Sequence, residues 1–381
     1  MQNSELLKAT KKFGTPIYLY DGEKIKEQCR ELKSNFLNID LYYACKANTN
    51  PEIVKLIASQ GFGIETVSPG EIAIARRAGI PASKITFTCS SIDEQELVSV
   101  VKQGVKVHLD SLYQVEIFGK HFPGREISVR LNLWVGGGHH SHVITGGPDS
   151  KFGVDVSQIK QLKELAQKYN LKITELQQHI GSNVPRVSIF IKGMQVLLKT
   201  AFTFSELKHL HFGGGFGIPY KIGDEKLNIV KFGKEVKKLI SNFNRKYGKK
   251  IQISFEPGRY LVAEAGSLLV KVTDIKKNPT KTFVGVNSGM NHLVRPAMYD
   301  SHHEIINVSN PNGKKEKVTI AGNICESGDV FAKNRLIAKT KIGDVLAIKN
   351  AGAYGYAMSS DYNSRLKPKE FLMLGKKIRR V

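Results

Sequence analysis

Between residues 39 and 258 the sequence alternates regularly between short β-rich runs and helical patterns, and this alternation limits the possible folds. The runs predicted to be strands are Asp40–Ala44, Gly63–Thr66, Ile85–Thr88, Lys106–Leu109, Ile127–Leu133, Ile173–His179, Leu207–Phe212 and Ile251–Phe255. The intervening segments predicted to be helical are Pro51–Gln60, Pro69–Ala78, Asp93–Gln103, Ser111–Lys120, Val156–Tyr169 and Glu225–Tyr247. This alternation is typical of parallel βαβ units, and so many units favour a closed (β/α)8 barrel of the TIM type over an open sheet.

After Gly258 the pattern changes to strands without long helices between them. These predicted strands are Val262–Val272, Lys281–Val286, Glu304–Val308, Lys317–Ala321 and Asp344–Ile348. We therefore predict an α/β chain with a barrel at 34–259 and a β-domain formed by 1–33 together with 260–381. The strand Ile17–Asp21 precedes the barrel and can pair into either domain.

The strongly basic composition raises the question of a nucleic-acid partner. The net charge is +23, but the lysines are scattered and mixed with acidic residues, as between 221 and 250. The densest runs, at 314–317 and 376–380, are short and lack the interleaved aromatic residues of a stacking platform. We expect no nucleic-acid binding. Salt-dependent retention on DNA would instead support a nucleic-acid-binding function.

Cysteine and histidine usage predicts neither a metal site nor an oxidising compartment. None of the four cysteines, at 29, 45, 89 and 325, has metal-site spacing. His139, His140 and His142 lie in a glycine-rich stretch without a carboxylate or cysteine at ligand spacing, so no metal is predicted. The segment Met1–Thr15 lacks the apolar stretch of a signal peptide, and the sequence has no apolar run of about 18 residues. We expect a cytoplasmic protein with no membrane partner.

Polar residues follow the ends of several predicted strands, where a parallel barrel places its chemistry. They are Lys46, Ser68, Cys89, His179 with Ser182, the glycines Gly213, Gly214 and Gly215, and Glu256. An amine, hydroxyls, a thiol, an imidazole, a glycine loop and a carboxylate therefore fall where this fold would hold an active site.

Each of these segments has a chemical and a structural interpretation. Lys46 can form a Schiff base, or it can be a solvated lysine at a strand end. The glycine run at 213–217 can bind a phosphate through its amides, or it can be a tight turn. Glu256 can hold a protonated ring nitrogen, with Arg259 available for a phosphate or a carboxylate. A Pro-Gly turn with a chance ion pair is the alternative for that segment.

The remaining candidates are weaker taken singly. His179 can stack on a planar cofactor and Ser182 can reach a phosphate, but a lone histidine is more often structural. Cys325 can donate a proton, or it can be a buried core thiol. The sequence does not place Asp329 and Asp361.

Taken in order, the motifs resemble those of the fold-type III pyridoxal-phosphate decarboxylases, and of the diaminopimelate decarboxylase family in particular. The resemblance runs from about Thr15 to Leu372. The shared segments are Tyr-Ala-x-Lys-Ala-Asn at 43–48, Ser-Lys-Phe-Gly at 150–153, His-Ile-Gly-Ser at 179–182, Gly-Gly-Gly-x-Gly at 213–217, Glu-Pro-Gly-Arg at 256–259, Arg-Pro-Ala-x-Tyr at 295–299, Cys-Glu-Ser-Gly-Asp at 325–329 and Ala-Gly-Ala-Tyr at 351–354. Each segment is weak by itself, but their common order makes chance agreement negligible.

The resemblance implies an enzyme that uses pyridoxal 5'-phosphate (PLP) to convert meso-2,6-diaminopimelate to L-lysine and CO2. It implies two catalytic residues, Lys46 as the Schiff-base lysine and Cys325, which the partner subunit of a homodimer contributes together with the substrate-facing Glu326. The cofactor-binding residues that it implies are Lys46, His179, Ser182, Gly213, Gly214, Gly215, Glu256, Arg259 and Tyr354. The substrate-binding residues that it implies are Arg259, Arg295, Tyr299, Glu326 and Tyr354. The arginines suit a distal carboxylate and Glu326 suits a distal ammonium group.

Three positions depart from the family pattern. Glu65 stands where aspartate is usual, Asn183 where glutamine is common, and His211 where a small polar residue is frequent. The stretch Gly136–Gly147 looks lengthened and rich in histidine.

Three other enzymatic or cofactor-binding readings stay open. The first is a decarboxylase for ornithine, lysine, arginine or a carboxylated polyamine such as carboxynorspermidine. The second is an alanine-racemase-like enzyme, against which Glu256 argues because an arginine faces the ring nitrogen there. The third is a non-catalytic PLP carrier, against which the β-domain at 260–381 argues.

Overall fold

A computed structural model of the chain describes residues 1–138, 147 and 150–381. The chain begins with α1 (Asn3–Phe13), β1 (Ile17–Asp21) and α2 (Gly22–Asn35). It divides into two compact units, one formed by 28–218 with 225–258 and the other by 1–27 with 219–224 and 259–381. The domain boundaries drawn from the sequence stay predictions. His139, His140 and His142 lie outside the described residues.

The first unit contains the predicted barrel, and its closure is confirmed. Its strands are β2 (Asp40–Ala44), β3 (Gly63–Thr66), β4 (Ile85–Thr88), β5 (Lys106–Leu109), β6 (Glu126–Asn132), β7 (Gly137–Gly138), β8 (Val154–Asp155), β9 (Lys172–Gln177), β10 (Gly181–Ser182), β11 (His209–His211) and β12 (Gln252–Phe255). Parallel pairing runs in the order β2–β3–β4–β5–β6–β9–β11–β12 and returns to β2. The remaining strands of this unit, β7, β8 and β10, are two-residue additions near the strand ends.

Helices follow the barrel strands in sequence. They are α3 (Pro51–Ser59), α4 (Pro69–Arg77), α5 (Glu94–Lys102), α6 (Leu112–His121), α7 (Ile159–Lys168), α8 (Val187–Ala201) and α9 (Ile229–Tyr247). Five of them begin at a side chain that accepts a backbone N–H of the first turn, namely Asn50, Ser68, Asp93, Ser111 and Asn228. The caps of α3, α4, α5 and α6 lie only a few residues after a strand, so the loops before these four helices are short.

A cluster of phenylalanines supports the end of β12. Phe36, Phe190, Phe216, Phe232 and Phe255 are buried, and neighbouring ring centroids lie 4.8–5.9 Å apart. Edge-to-face and tilted contacts of this kind add to the free energy of burial. The cluster includes Phe216 of the glycine run and Phe255, which precedes Glu256, so both segments rest on a packed base.

The second unit is built on a β-sheet, which confirms the predicted β-domain, and the pairing in this sheet is mixed. After α10 (Arg259–Val262) it contains β13 (Gly266–Lys277), β14 (Thr282–Val286), α11 (Arg295–Tyr299), β15 (Ile305–Asn307), β16 (Lys315–Ala321), β17 (Val330–Ala338), β18 (Val345–Ile348), β19 (Lys369–Leu374) and β20 (Lys377–Arg380). The sheet order is β17–β16–β14–β13–β1–β19–β20, with β18 paired to β13 and β15 paired to β18. The strand β1 therefore belongs to this sheet, antiparallel to β13 and parallel to β19.

The structure corrects several element bounds. The segment predicted as one strand from Val262 begins as the end of α10 and enters β13 only at Gly266. The strands β17, β19 and β20 and the helix α1 were not predicted. β17 and β20 carry charged residues that interrupt the apolar alternation expected of a strand. None of the helices in the described part of the chain combines the length and apolar character that crossing a bilayer needs.

Candidate active site

Lys46 lies immediately after β2, in a single turn of 3-10 helix at Cys45–Ala47. Its Nζ atom is 3.4 Å from Oε2 of Glu65, which is carried by the neighbouring strand β3. Glu65 is 1% exposed, and burial raises the pKa of its carboxyl group although the Lys46 ammonium opposes the shift. The extra methylene at Glu65 therefore brings its carboxyl group to the lysine amine.

Glu256 follows β12. The strand β2 lies between β12 and β3 in the sheet. The Oε1 atom of Glu256 is 3.3 Å from Nδ1 of His179, and its Oε2 atom is 3.4 Å from Nε2 of Gln177 and 3.5 Å from Nε2 of His211. Burial by itself would raise the pKa of Glu256, but His179, His211 and Lys46 outweigh it and hold this pKa below its ordinary value. The site thus contains one buried carboxyl group that favours the ionised form.

The imidazoles around Glu256 are neutral. Burial lowers the pKa of His179, and it lowers the pKa of His211 to about 3. Nδ1 of His179 accepts the N–H of Gly214 at 3.0 Å, and Nδ1 of His211 accepts the N–H of Gly213 at 3.1 Å. The negative charge of Glu256 is therefore surrounded by dipoles rather than by imidazolium ions.

The glycine run leaves no room for side chains. A Cβ atom would lie 2.4 Å from the carbonyl oxygen of Gln178 at Gly213, 2.2 Å from that of Glu256 at Gly214, and 2.3 Å from that of Gly181 at Gly215. Gly213 and Gly215 also have positive φ, at 70° and 94°. Since the amides of Gly213 and Gly214 donate to imidazoles, a phosphate held by this loop needs other donors, such as the amide of Gly215.

The barrel therefore brings together most of its predicted site residues. Glu65, Lys46, Glu256, the glycine run and His179 lie at the ends of five consecutive strands, β3, β2, β12, β11 and β9. Ser182 lies in β10, three residues after His179. Ser68 has a different role, because its hydroxyl caps α4. Cys89 follows β4 and its carbonyl oxygen accepts from Gln114 of α6.

The second unit contains a buried arginine pair packed on tyrosines. Nη1 of Arg259 donates to the hydroxyl of Tyr220 at 2.7 Å, and its guanidinium lies 4.8 Å from the ring centroid of Tyr354. The guanidinium of Arg295 lies 4.7 Å from the centroid of the Tyr220 ring. Tyr299 is in α11. Burial opposes the net rise in the pKa of Arg259, which Tyr220 and Tyr354 cause most strongly and Tyr299 least. Two cations thus share one aromatic surface.

Arg295 is 2% exposed, and its hydrogen bonds go to neutral groups. Nη1 donates to Nε2 of His303 at 2.9 Å and Nη2 donates to the hydroxyl of Ser301 at 3.3 Å. Nδ1 of His303 donates to the carbonyl of Lys349 at 2.8 Å, which leaves Nε2 as the acceptor. Within the described residues no carboxylate forms an ion pair with Arg295. A buried guanidinium without a carboxylate is costly unless an anion binds it.

Cys325 and Glu326 are exposed on a short loop of the second unit. Asp329 shapes this loop by accepting the N–H groups of Ile324 and Met290, each at 2.6 Å. The N–H of Cys325 donates to the side chain of Asn363 at 2.8 Å. Asp329 therefore orients the loop, whereas Asp361 is exposed.

Several residues of these sites were not predicted from the sequence. They are Gln177, Tyr220, His303 and, inside the barrel, His108 and Glu175. A signal for the barrel residues does exist, since charged or polar residues alternate with apolar ones in short strands that are otherwise buried. Tyr220 and His303 have no such signal, because they lie outside strands.

Comparison with known proteins places the chain in a class. The model of the pyridoxal-binding domain of pyridoxal-dependent decarboxylases matches residues 22–263. This chain therefore belongs to the pyridoxal-dependent decarboxylase family, as the motifs indicated.

The relatives within that family narrow the class. The chain is 39% identical to the diaminopimelate decarboxylase of Methanothermobacter thermautotrophicus, over 95% of this chain and 87% of that protein. It is 36% identical to the diaminopimelate decarboxylase of Aquifex aeolicus, with the same coverage. The crystal structure of diaminopimelate decarboxylase from Helicobacter pylori complexed with L-lysine superposes with a TM-score of 0.90, at 31% identity, over 98% of this chain and 95% of that one.

The residues of the barrel fit the cofactor of this family, pyridoxal 5'-phosphate. Glu256 is an ionised carboxylate among neutral imidazoles, which suits a protonated ring nitrogen. Lys46, half-buried on the adjacent strand, supplies an amine for the aldehyde. In the glycine run, the amides of Gly213 and Gly214 donate to imidazoles, so the amide of Gly215 is the donor that this run offers to a phosphate.

Proposed function

We propose that this chain removes CO2 from meso-2,6-diaminopimelate to form L-lysine, with pyridoxal 5'-phosphate as cofactor. The relatives that support the proposal are named as diaminopimelate decarboxylases and align over almost the whole chain. The single observation that carries the choice of substrate is Arg295, a buried cation for which the described residues provide no carboxylate. A substrate with a second carboxylate supplies that partner.

Each end of the cofactor is assigned to residues of this chain. Lys46 would hold the aldehyde carbon, and His179 would lie against the ring. Ser182, the run Gly213, Gly214 and Gly215, and the side chains of Arg259 and Tyr354 would hold the phosphate end. When bound, the cofactor supplies an electron sink for the electron pair that remains after CO2 leaves.

Glu256 keeps a proton on the ring nitrogen. Its pKa is below the ordinary value, so the carboxylate stays ionised and pairs with the positively charged nitrogen. Gln177 donates a hydrogen bond to Oε2, and Nδ1 of His179 lies 3.3 Å from Oε1. The electron-withdrawing strength of the ring is therefore maintained by a buried charge that solvent does not screen.

Glu65 serves the amine of Lys46. Because burial raises its pKa, this carboxyl group is a proton reservoir 3.4 Å from Nζ. A proton can pass between the two groups without crossing solvent, which lets Lys46 change its protonation state within the barrel.

The substrate is recognised by its two charged ends. Arg259 and Arg295, packed on Tyr220 with Tyr299 and Tyr354 nearby, would bind the distal carboxylate, and Glu326 would bind the distal ammonium group. A guanidinium on an aromatic face keeps its outer N–H groups available for bidentate contact. A cationic substrate such as ornithine has no carboxylate for Arg295.

We further propose a homodimer in which Cys325 of one subunit donates a proton to the substrate carbon in the other, in the cytoplasm. The exposed position of Cys325 on a loop ordered by Asp329 supports this role, because a thiol presented outward can serve a second copy of the chain. The four unpaired cysteines are consistent with a reducing compartment.

The experiment that tests the function is a substrate panel with the cofactor added. CO2 release from meso-2,6-diaminopimelate should exceed release from ornithine, arginine, lysine and carboxynorspermidine by at least about a hundredfold in kcat/KM, because only the first substrate pairs with Arg295. Equal or reversed rates would overturn the substrate and select the alternative substrate class. Absence of any cofactor absorbance after reconstitution would overturn the catalytic proposal as a whole.

A further inference from the structure

Two fully buried histidines lie inside the barrel, deeper than Glu256. His211 is in β11, beside Ser254 of β12, and His108 is in β5. Their side chains are at most 1% exposed, and their ring centroids are 5.2 Å apart at an interplanar angle of 65°. The reaction proposed above assigns no role to either ring. Burying two imidazoles in a barrel interior is unfavourable unless they make compensating polar interactions.

The hydrogen bonds of His211 determine which of its nitrogens carries the proton. Nδ1 accepts the N–H of Gly213 at 3.1 Å, so it must present a lone pair. Burial lowers the pKa of the ring to about 3, so the ring is neutral and its single proton is on Nε2. Nε2 lies 3.5 Å from Oε2 of Glu256 without forming a hydrogen bond, so the contact is between the charge of the carboxylate and the dipole of the ring.

The surroundings hold His211 in this orientation. His108 packs edge-on against it, and Nδ1 of His108 is 2.6 Å from the hydroxyl of Ser128. Oε1 of Glu175 is 3.7 Å from the same Nδ1, while its other oxygen forms an ion pair with Lys106 at 2.9 Å. The ring of His211 is therefore fixed from one side by a packed imidazole and from the other by the Gly213 amide.

His179 makes a different contact with the same carboxylate. Its Nδ1 atom accepts the N–H of Gly214 and lies 3.3 Å from Oε1 of Glu256, so in the neutral ring the proton is on Nε2, away from that oxygen. Oε2, in contrast, faces two donors, Nε2 of Gln177 and Nε2 of His211. His211 thus contacts the carboxylate oxygen that Gln177 also contacts.

We propose that His211 is a positioning residue for Glu256: its Nε2–H stabilises the ionised carboxylate that holds the proton on the ring nitrogen of the cofactor. The inference rests on the proposed function only for the identity of the cofactor. A neutral donor suits this task better than a cation, because an imidazolium would pair with the carboxylate and compete with the ring nitrogen for it. His211 touches neither cofactor nor substrate in this assignment and acts through Glu256.

Two conservative substitutions separate the two nitrogens of the ring. His211→Asn keeps an acceptor near the position of Nδ1 for the Gly213 amide but lacks a donor long enough to reach Glu256. His211→Gln keeps a donor near the position of Nε2 but lacks the acceptor. Each holoenzyme is loaded with PLP labelled with nitrogen-15 in the ring, and the chemical shift of that nitrogen is measured together with kcat, KM and the melting temperature.

The proposal predicts that His211→Asn moves the ring-nitrogen signal toward that of the unprotonated ring and lowers kcat about tenfold, with KM nearly unchanged. His211→Gln should keep the wild-type signal and most of the activity. A purely structural role at the glycine run predicts the reverse order, with His211→Gln the more damaged variant. An unshifted nitrogen signal in a folded His211→Asn holoenzyme overturns the proposal.

His209 provides the matched control. It lies two residues earlier on the same strand, and its Nε2 atom is 3.1 Å from the hydroxyl of Ser254, with no contact to Glu256. His209→Asn should leave the ring-nitrogen signal and kcat unchanged, and a shift as large as that of His211→Asn would likewise overturn the proposal. If the wild-type holoenzyme shows the protonated ring but does not act on meso-2,6-diaminopimelate, the substrate assignment fails while the comparison of the variants still decides the role of His211.

Discussion

The two units treat buried charge in opposite ways. In the barrel, the carboxyl groups of Glu65 and Glu256 lie near an amine and neutral imidazoles. In the second unit, the guanidinium groups of Arg259 and Arg295 lie on tyrosine rings and neutral acceptors. The barrel is thus prepared for a positively charged group and the second unit for a negatively charged one. The two units therefore contain buried charges of opposite sign, negative at Glu256 of the barrel and positive at Arg295 of the second unit.

Substitutions at Lys46 of the barrel and Cys325 of the second unit should lower activity most, and they should differ in their effect on the cofactor absorbance. Lys46→Ala should abolish the cofactor absorbance and lower activity by at least about a thousandfold, because no other amine takes its place. Cys325→Ala should lower activity while it keeps the absorbance. Lys84→Ala, at an exposed lysine before β4, is the control and should match the wild type.

Mixing the Lys46→Ala and Cys325→Ala variants tests whether active sites are shared between subunits. If subunits share their sites, a random mixture of Lys46→Ala and Cys325→Ala chains should recover about a quarter of wild-type activity, since half of the dimers regain one of two sites. Recovery is measured as CO2 release after subunit exchange. A mixture that stays inactive would place Cys325 and Lys46 in the same chain's site.

A smaller effect is expected at Arg295. Arg295→Met keeps much of the buried volume but removes the guanidinium, so KM for meso-2,6-diaminopimelate should rise about 10- to 100-fold. Arg295→Lys should recover little, because an ammonium group lacks the bidentate fork. The affinity for PLP, measured by titration of the apoenzyme, should be unchanged. If the variant lost affinity for PLP as strongly as for the substrate, the assignment of Arg295 to substrate binding alone would be wrong.

The smallest effect concerns acid stability. Burial lowers the pKa of His292 and His108 to about 4 and that of His303 to about 3, below their values in the unfolded chain. The unfolded state therefore binds more protons below about pH 6.5, so the free energy of unfolding falls as the pH drops from there toward the folded pKa values.

His292 is the best position for testing this dependence, because it lies outside the proposed sites. The melting temperature of His292→Gln should fall less than that of the wild type between about pH 7 and pH 5, by a few degrees. Its hydrogen bonds to Ser288 and Leu366 make some loss of stability at neutral pH expected. Parallel curves for the two proteins would refute the contribution of this histidine.

The sequence by itself determined the barrel, because eight apolar strands alternating with capped helices have few other ways to bury both faces of a parallel sheet. It also determined that Lys46, His179, Gly213 and Glu256 would lie at one end, since the carboxyl ends of parallel strands share an edge. The mixed sheet of the second unit was predicted only in outline, because polar strands such as β17 and β20 have no clear alternation.

Only the tertiary structure decided the partners of these residues. Strand order brings Glu65 next to Lys46 and His211 next to Glu256, and no local sequence pattern predicts either contact. The same is true of Arg295, Tyr220 and His303, which come from the helix α11 and from two loops. Local patterns encode how a strand or helix forms, but burial and pKa depend on groups that only the closed fold brings within a few ångströms.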